Sequence, residues 1–158
     1  MSQQIFNYTF TVRASLDAVA KFHHDTRALK WLTPLPMIAQ MHRIDPMAEG
    51  SISEFTLWFF FIPIRWRAIH SNVDSKTGFT DTQARGPMKY WKHTHSFTIE
   101  NENLTRVNEH IDYEYHSGWR GLGARLLFSP LGLWGLFFYR SLITRWSLER
   151  SSAVLVAR

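Results

Sequence analysis

The sequence contains no cysteine. Disulfides, thiolate nucleophiles and cysteine-ligated zinc are therefore excluded, and a reducing, cytoplasmic setting is the expectation. The first ten residues carry no basic segment followed by an apolar run, so no secretory signal is expected there. No glycine-rich loop links a strand to a helix as a phosphate site requires, and no nucleophile elbow occurs. No cofactor signature is present. Basic residues outnumber acidic ones by 18 to 13, a formal charge of +5, yet they never form a run. That distribution describes a basic soluble surface, and a nucleic-acid partner is not expected. No linker, repeat or low-complexity segment divides the chain, so residues 1–158 are expected to form a single domain.

What is abundant is aromatic: 12 Phe, 7 Trp and 5 Tyr. The richest stretch runs from Gly86 to Phe97. After a Gly-Pro turn, Trp91, His93, His95 and Phe97 recur at every second position. In an extended strand these four side chains share one face.

The rest alternates in the same way. Phe6, Tyr8, Phe10 and Val12 mark a half-buried strand from Ile5 to Val12. Ser15 is a helix N-cap, with Asp17 in the first turn where the helix dipole favours an acid. Val19, Phe22 and His23 follow on one helical face, and His23-His24 reads as a solvated pair. A second short helix spans about Thr26 to Leu32 and stops at Pro34 and Pro36. Strands are expected over Met37–Ile44, Ser51–Phe60, Ile64–Val73, Phe79–Arg85, Lys89–Ile99 and Thr105–Tyr115. Short turns between them favour an antiparallel meander. Within Arg65-Trp66-Arg67, the tryptophan is expected inside and the arginines outside. A long helix is expected over Leu131–Arg150, facing the sheet with Leu131, Trp134, Phe138, Leu142 and Trp146. A twisted sheet curves, and this helix is the one large element left to cover its apolar face.

The segments FTDTQARGPMKYWKHTHSF and TRVNEHIDYEY, then a glycine-bearing loop and a helix containing FFYR, resemble the START-like, SRPBCC (Bet v 1-like) superfamily. The resemblance is to its bacterial polyketide cyclase/dehydrase-like ligand-binding branch. It implies an α+β helix-grip fold: a curved antiparallel sheet of about seven strands around a long C-terminal helix, with two short helices after the first strand. It also implies a hydrophobic cavity, without implying one reaction. An acid near Glu109 matches the aspartate usual in that branch.

Alternation gives the inward-facing candidates. The Phe79 strand offers Phe79, Asp81, Gln83 and Arg85, and the next two offer Trp91, His93, His95, Phe97, Val107, Glu109, Ile111 and Tyr113. Ligand-binding residues are expected to be Gln83, Arg85, Trp91, His93, His95, Phe97, Glu109, Tyr113 and Phe138. The aromatics would form apolar walls, and Gln83, the histidines and Glu109 would hold a polar end. A carboxylate beside imidazole also suits proton transfer, with His93 or His95 as base and Glu109 orienting it. A satisfied polar network in a core would use the same residues. No metal is expected, because Glu100 lies an odd number of positions from both histidines and falls on the opposite face.

The expected function is binding or carriage of a small hydrophobic or aromatic molecule. The alternatives are a cyclase- or dehydratase-type enzyme, and a peripheral membrane or protein-interaction module. Phe59 to Ile64 is an apolar hairpin tip and a candidate for transient membrane-surface contact, or for closing over the cavity. Nothing in the sequence fixes an oligomeric state.

Overall fold

The chain opens with strand β1 (Gln4–Val12), helix α1 (Leu16–His24) and a 3₁₀ helix (Thr26–Lys30). Six strands follow: β2 (Met37–Ile44), β3 (Ile52–Phe59), β4 (Ile62–Asp74), β5 (Gly78–Arg85), β6 (Tyr90–Asn101) and β7 (Leu104–Glu114). Helices α2 (Leu122–Leu127) and α3 (Pro130–Val156) end it. The computed structural model describes residues 2–156, with side chains through residue 150. The extremities of the expected 1–158 domain lie outside the described residues.

The seven strands form one antiparallel sheet in the order β1-β7-β6-β5-β4-β3-β2. Five neighbour pairs are sequential hairpins. The sixth places β1 beside β7, with Phe6 opposite Ile111 and Phe10 opposite Val107. Ser15 caps α1 by accepting from the Ala18 amide, and Asp17 lies in the first turn.

Two apolar clusters fill the concave side. One joins the sheet to the C-terminal helices through Trp66, Trp91, Tyr113, Phe128, Leu133 and Phe137. The other packs Val19 of α1 against Phe10, Phe79, Phe97 and Val107. Trp66 is buried inside and Arg65 and Arg67 are outside, as alternation requires.

The rotation of α3 departs from expectation. Leu133, Phe137, Ser141 and Thr144 face the sheet and are buried, while Leu131, Trp134, Phe138, Leu142 and Trp146 are exposed. The helix is apolar on both sides, so hydrophobic periodicity alone selects the wrong face. Small residues, Ser141 and Thr144, are what fit against the sheet at the later turns. Three polar contacts fix the orientation. Arg140 Nε donates to the Leu32 carbonyl (3.2 Å), Arg145 Nε donates to the Thr11 carbonyl (2.9 Å), and the Arg13 amide donates to Glu149 (3.0 Å).

Candidate functional site

Between the sheet, the 3₁₀ helix and α3 lies a cavity of about 130 Å³. Its walls are apolar: Phe55, Leu57, Trp66, Trp91 and Phe128 from one side, Leu29, Leu32, Met37 and Met47 near the 3₁₀ helix, and Leu136 from α3. Its polar lining consists of His23, His70, Asp81, His93, His95 and Arg140, with Asp25, Thr26, Thr33 and Ser53 towards the 3₁₀ helix.

Register explains the cluster. His93 lies opposite Asp81 on β5 and opposite Ile111 on β7, and His95 lies opposite Phe79 and Glu109. Four titratable side chains therefore meet on one face of three adjacent strands. His93 Nε2–H donates to Glu109 Oε2 at 2.7 Å, and His95 Nε2–H donates to Asp81 Oδ2 at 3.3 Å. The cross-contacts are close but poorly aligned: His95 Nδ1 lies 2.7 Å from Glu109 Oε2, and His93 Nδ1 lies 3.4 Å from Asp81 Oδ2. These two are electrostatic contacts, and His95 Nδ1 is buried without an aligned hydrogen bond.

The charges are strongly shifted. Burial opposes a charge on His95, but Glu109 and the bond to Asp81 outweigh it and raise its pKa to about 9. Burial likewise opposes ionisation of Glu109 and Asp81, and the two histidines outweigh it, holding both carboxyls well below their usual range. His23 goes the other way. Burial pulls its pKa down to about 4, against the attraction of Glu109. Its Nδ1–H donates to the Val19 carbonyl (2.8 Å), which leaves Nε2 as the lone-pair nitrogen. His70 is also lowered by burial, with Nδ1 lying 3.1 Å from both the hydroxyl and the carbonyl of Ser51. Arg140 is lowered by burial against the pull of Glu109 and Asp81.

Of the residues expected from the sequence, Trp91, His93 and His95 line the cavity. Glu109 sits behind the histidines, hydrogen-bonded to His93 and in electrostatic contact with His95. Gln83 belongs elsewhere: its amide accepts from the Met88 N–H (3.2 Å) and donates to the Met88 carbonyl (2.8 Å), closing the β5–β6 turn. Arg85 is on the outer face. A bulge at Ala84 lets Gln83 pair with Ala68 and Arg85 with Arg67, so one extra residue inverts the strand's last side chain. Phe97 is buried under α1, its ring 5.0 Å from that of His23. Tyr113 is buried in the core beside Trp91 and Tyr115. Phe138 points away from the cavity and stacks on Trp134.

Among the cavity residues that sequence reasoning did not name as site members, four surround the polar cluster. Asp81 alternates with Phe79. His70 alternates with Trp66 and Ala68 on β4, the same signal that exposed His93. Arg140 lies three residues beyond Phe137 on the inward face of α3. His23 lies four residues beyond Val19, so it is a buried cavity residue and not half of a solvated pair. For a metal, the relevant set is Asp81, His93 and His95, whose ligand atoms lie within 4.8 Å of one another. Each histidine in it already gives a nitrogen to a carboxylate.

The hairpin tip is exposed at Phe60, Phe61 and Ile62, and none of the tip lines the cavity.

No protein-family profile matches the sequence, and no protein of curated function does. Solved structures match along nearly the whole chain. An aromatase/cyclase, ZhuI from Streptomyces sp. R1128, superposes with a TM-score of 0.75 at 14% identity, covering 94% of this chain and 95% of that one. Ginseng major latex-like protein 151 from Panax ginseng gives 0.69 at 11%, covering 92% and 97%. Norcoclaurine synthase from Thalictrum flavum, in complex with dopamine and hydroxybenzaldehyde, gives 0.67 at 15%, covering 94% and 88%. The fold is the helix-grip, Bet v 1-like fold.

Proposed function

We propose that this protein binds a small aromatic or apolar molecule bearing one hydroxyl or carbonyl group in the cavity between sheet and α3. The carrying observation is the lining itself: aromatic and aliphatic walls meeting one polar cluster. Size narrows the class. An apolar cavity of roughly 150 Å³ admits benzene, so about 130 Å³ suits a single ring. The lone pair on His23 Nε2 can accept from a hydroxyl, and the Arg140 guanidinium can donate to an oxygen. The fold neighbours, an aromatase/cyclase and a synthase crystallised with two single-ring aromatics, support the same class.

Thermal unfolding and tryptophan fluorescence in the presence of p-cresol or toluene test this. Saturating ligand at 100 times Kd stabilises by about 2.7 kcal/mol, a rise in Tm of roughly 5–10 °C for a chain of this size. p-Cresol is expected to produce it, and toluene to produce less. If neither ligand moves Tm or the emission of Trp66 and Trp91, the proposal fails.

A second reading, proton transfer on the bound molecule, rests on one observation. His23 and His95 lie with ring centroids 6.1 Å apart and have pKa values pushed in opposite directions. Such divergence marks an acid and a base sharing a site. In that reading His95, protonated near neutrality, is the acid, and His23 is the base. Turnover of a hydroxylated or carbonyl aromatic that survives both His23→Gln and His95→Gln would exclude it.

A further inference from the structure

The outward side of α3 carries the residues expected to face the sheet. Leu131, Trp134, Phe138, Leu142 and Trp146 form a continuous stripe at helical spacing, and each is 43–79% exposed. Monomeric soluble proteins seldom leave so long an apolar face uncovered. The chain just before the helix adds further exposed apolar side chains, Trp119, Leu122 and Leu126.

Arginine flanks the stripe in sequence, Arg120 before the helix and Arg150 four residues beyond Trp146. The Arg120 guanidinium lies 6.0 Å from the Trp119 ring, and Arg150 lies 5.0 Å from the Trp146 ring. Both arginines are exposed. No acidic residue occurs between Glu114 and Glu149. Tryptophan beside arginine at the margins of an apolar surface is the chemistry of a membrane–water interface: rings at headgroup depth and guanidinium groups on phosphate.

We infer that the outer face of α3 docks the protein on an anionic lipid surface, the stripe entering the headgroup boundary and Arg120 and Arg150 meeting phosphates. The helix lies on the bilayer and does not cross it. The stretch Gly118–Arg150 has the length and composition of a span, and only 22% of its most apolar window is buried. However, Leu133 and Phe137 are core residues, and Arg140, Arg145 and Glu149 are tied to the 3₁₀ segment and β1. Insertion would break those contacts. A second copy fits the stripe less well. Antiparallel pairing would bring Arg120 against Arg150, and parallel pairing would bring each against itself; the one acid beside either of them, Glu149, already accepts from the Arg13 amide.

The test is co-sedimentation with vesicles of phosphatidylcholine, alone or with about one-quarter phosphatidylserine. The wild-type chain should partition at least about 25-fold better onto the anionic vesicles, and less so in high salt. Arg120→Gln/Arg150→Gln should lower that partitioning by about 25-fold, roughly fivefold for each arginine. Trp134→Gln/Phe138→Gln should abolish it with an unchanged circular dichroism spectrum, since both side chains are exposed. Equal partitioning onto neutral and anionic vesicles, or none onto either, would overturn the inference. So would a dimer in sedimentation velocity that the Trp134/Phe138 variant dissociates while vesicles go unbound, because the stripe's occupant would then be a second copy.

Discussion

His93 and His95 share one oxygen of Glu109: each places a ring nitrogen 2.7 Å from Oε2, with the two imidazole centroids 4.0 Å apart. The carboxylate is the hub of the cavity's polar floor although it does not line the cavity. Glu109→Gln removes the charge and keeps the shape. Breaking a buried ion pair from one side costs about 3–5 kcal/mol, and a loss of that order is expected in urea unfolding. The pKa of His95, read by NMR, should fall from about 9 towards the ordinary imidazole range. An unchanged His95 titration would assign the shift to Asp81 alone.

Stability should peak in a narrow range of pH. His95 is raised from 6.5 to about 9 in the folded state, so its contribution is complete below pH 6.5 and is lost as pH climbs through 9. His23 is lowered from 6.5 to about 4, so protons favour the unfolded chain, and stability falls as pH drops from 6.5 towards 4. The depressed Asp81 and Glu109 add to the acid limb below their ordinary values of 3.8 and 4.5. Each limb can change by up to about 1.4 kcal/mol per pH unit for each group titrating. Urea midpoints across the range should bracket a maximum near pH 6.5. His95→Gln should flatten the alkaline limb, and a wild-type profile already flat above pH 6.5 would contradict the assignment.

The facing of α3 can be tested with adjacent residues. Phe137 is 0% exposed and packs against Phe6 and Tyr8, while Phe138 is 43% exposed. Phe137→Ala is expected to cost about 3–5 kcal/mol. Phe138→Ala should stay within about 0.5 kcal/mol of wild type. Equal losses would mean that the helix is rotated from the orientation described.

Gly78 has φ +131°, and a Cβ there would collide with the His95 carbonyl. Gly78→Ala strains both the β4–β5 turn and the strand that carries His95. A loss of more than about 2 kcal/mol is expected, combining backbone strain with displaced packing. Gly50→Ala provides the comparison, since its φ is also positive but its Cβ would meet nothing within 4 Å. The gap between the two variants measures the close approach.

The strands were legible because alternation over eight or more residues leaves few choices, and the helix-grip arrangement followed from their order. The three expected residues that line the cavity, Trp91, His93 and His95, lie on β6 where the alternation is unbroken. Arg85 failed for want of one bulge, which pairing with β4 imposes and sequence does not mark. Gln83 failed because an amide can satisfy a turn as readily as a ligand. Phe138 failed because its helix carries two apolar stripes, and the more hydrophobic one is outside. Tyr113 and Phe97 were placed correctly on the inner face. An inner face does not tell which of its side chains meet empty space and which meet other side chains.

The three tethers of α3 have a consequence for how the molecule assembles. Turned by half a revolution, this helix would still offer the sheet an apolar stripe, so burial alone supplies little torque about its axis. The carbonyls of Leu32 and Thr11 and the amide of Arg13 act as keyways, receiving Arg140, Arg145 and Glu149 in one angular setting. Two of these lie at the end of β1, and the third follows the 3₁₀ helix. The last long element of the chain therefore takes its bearing from the first: with β1 unseated, two of the three keyways of α3 are missing.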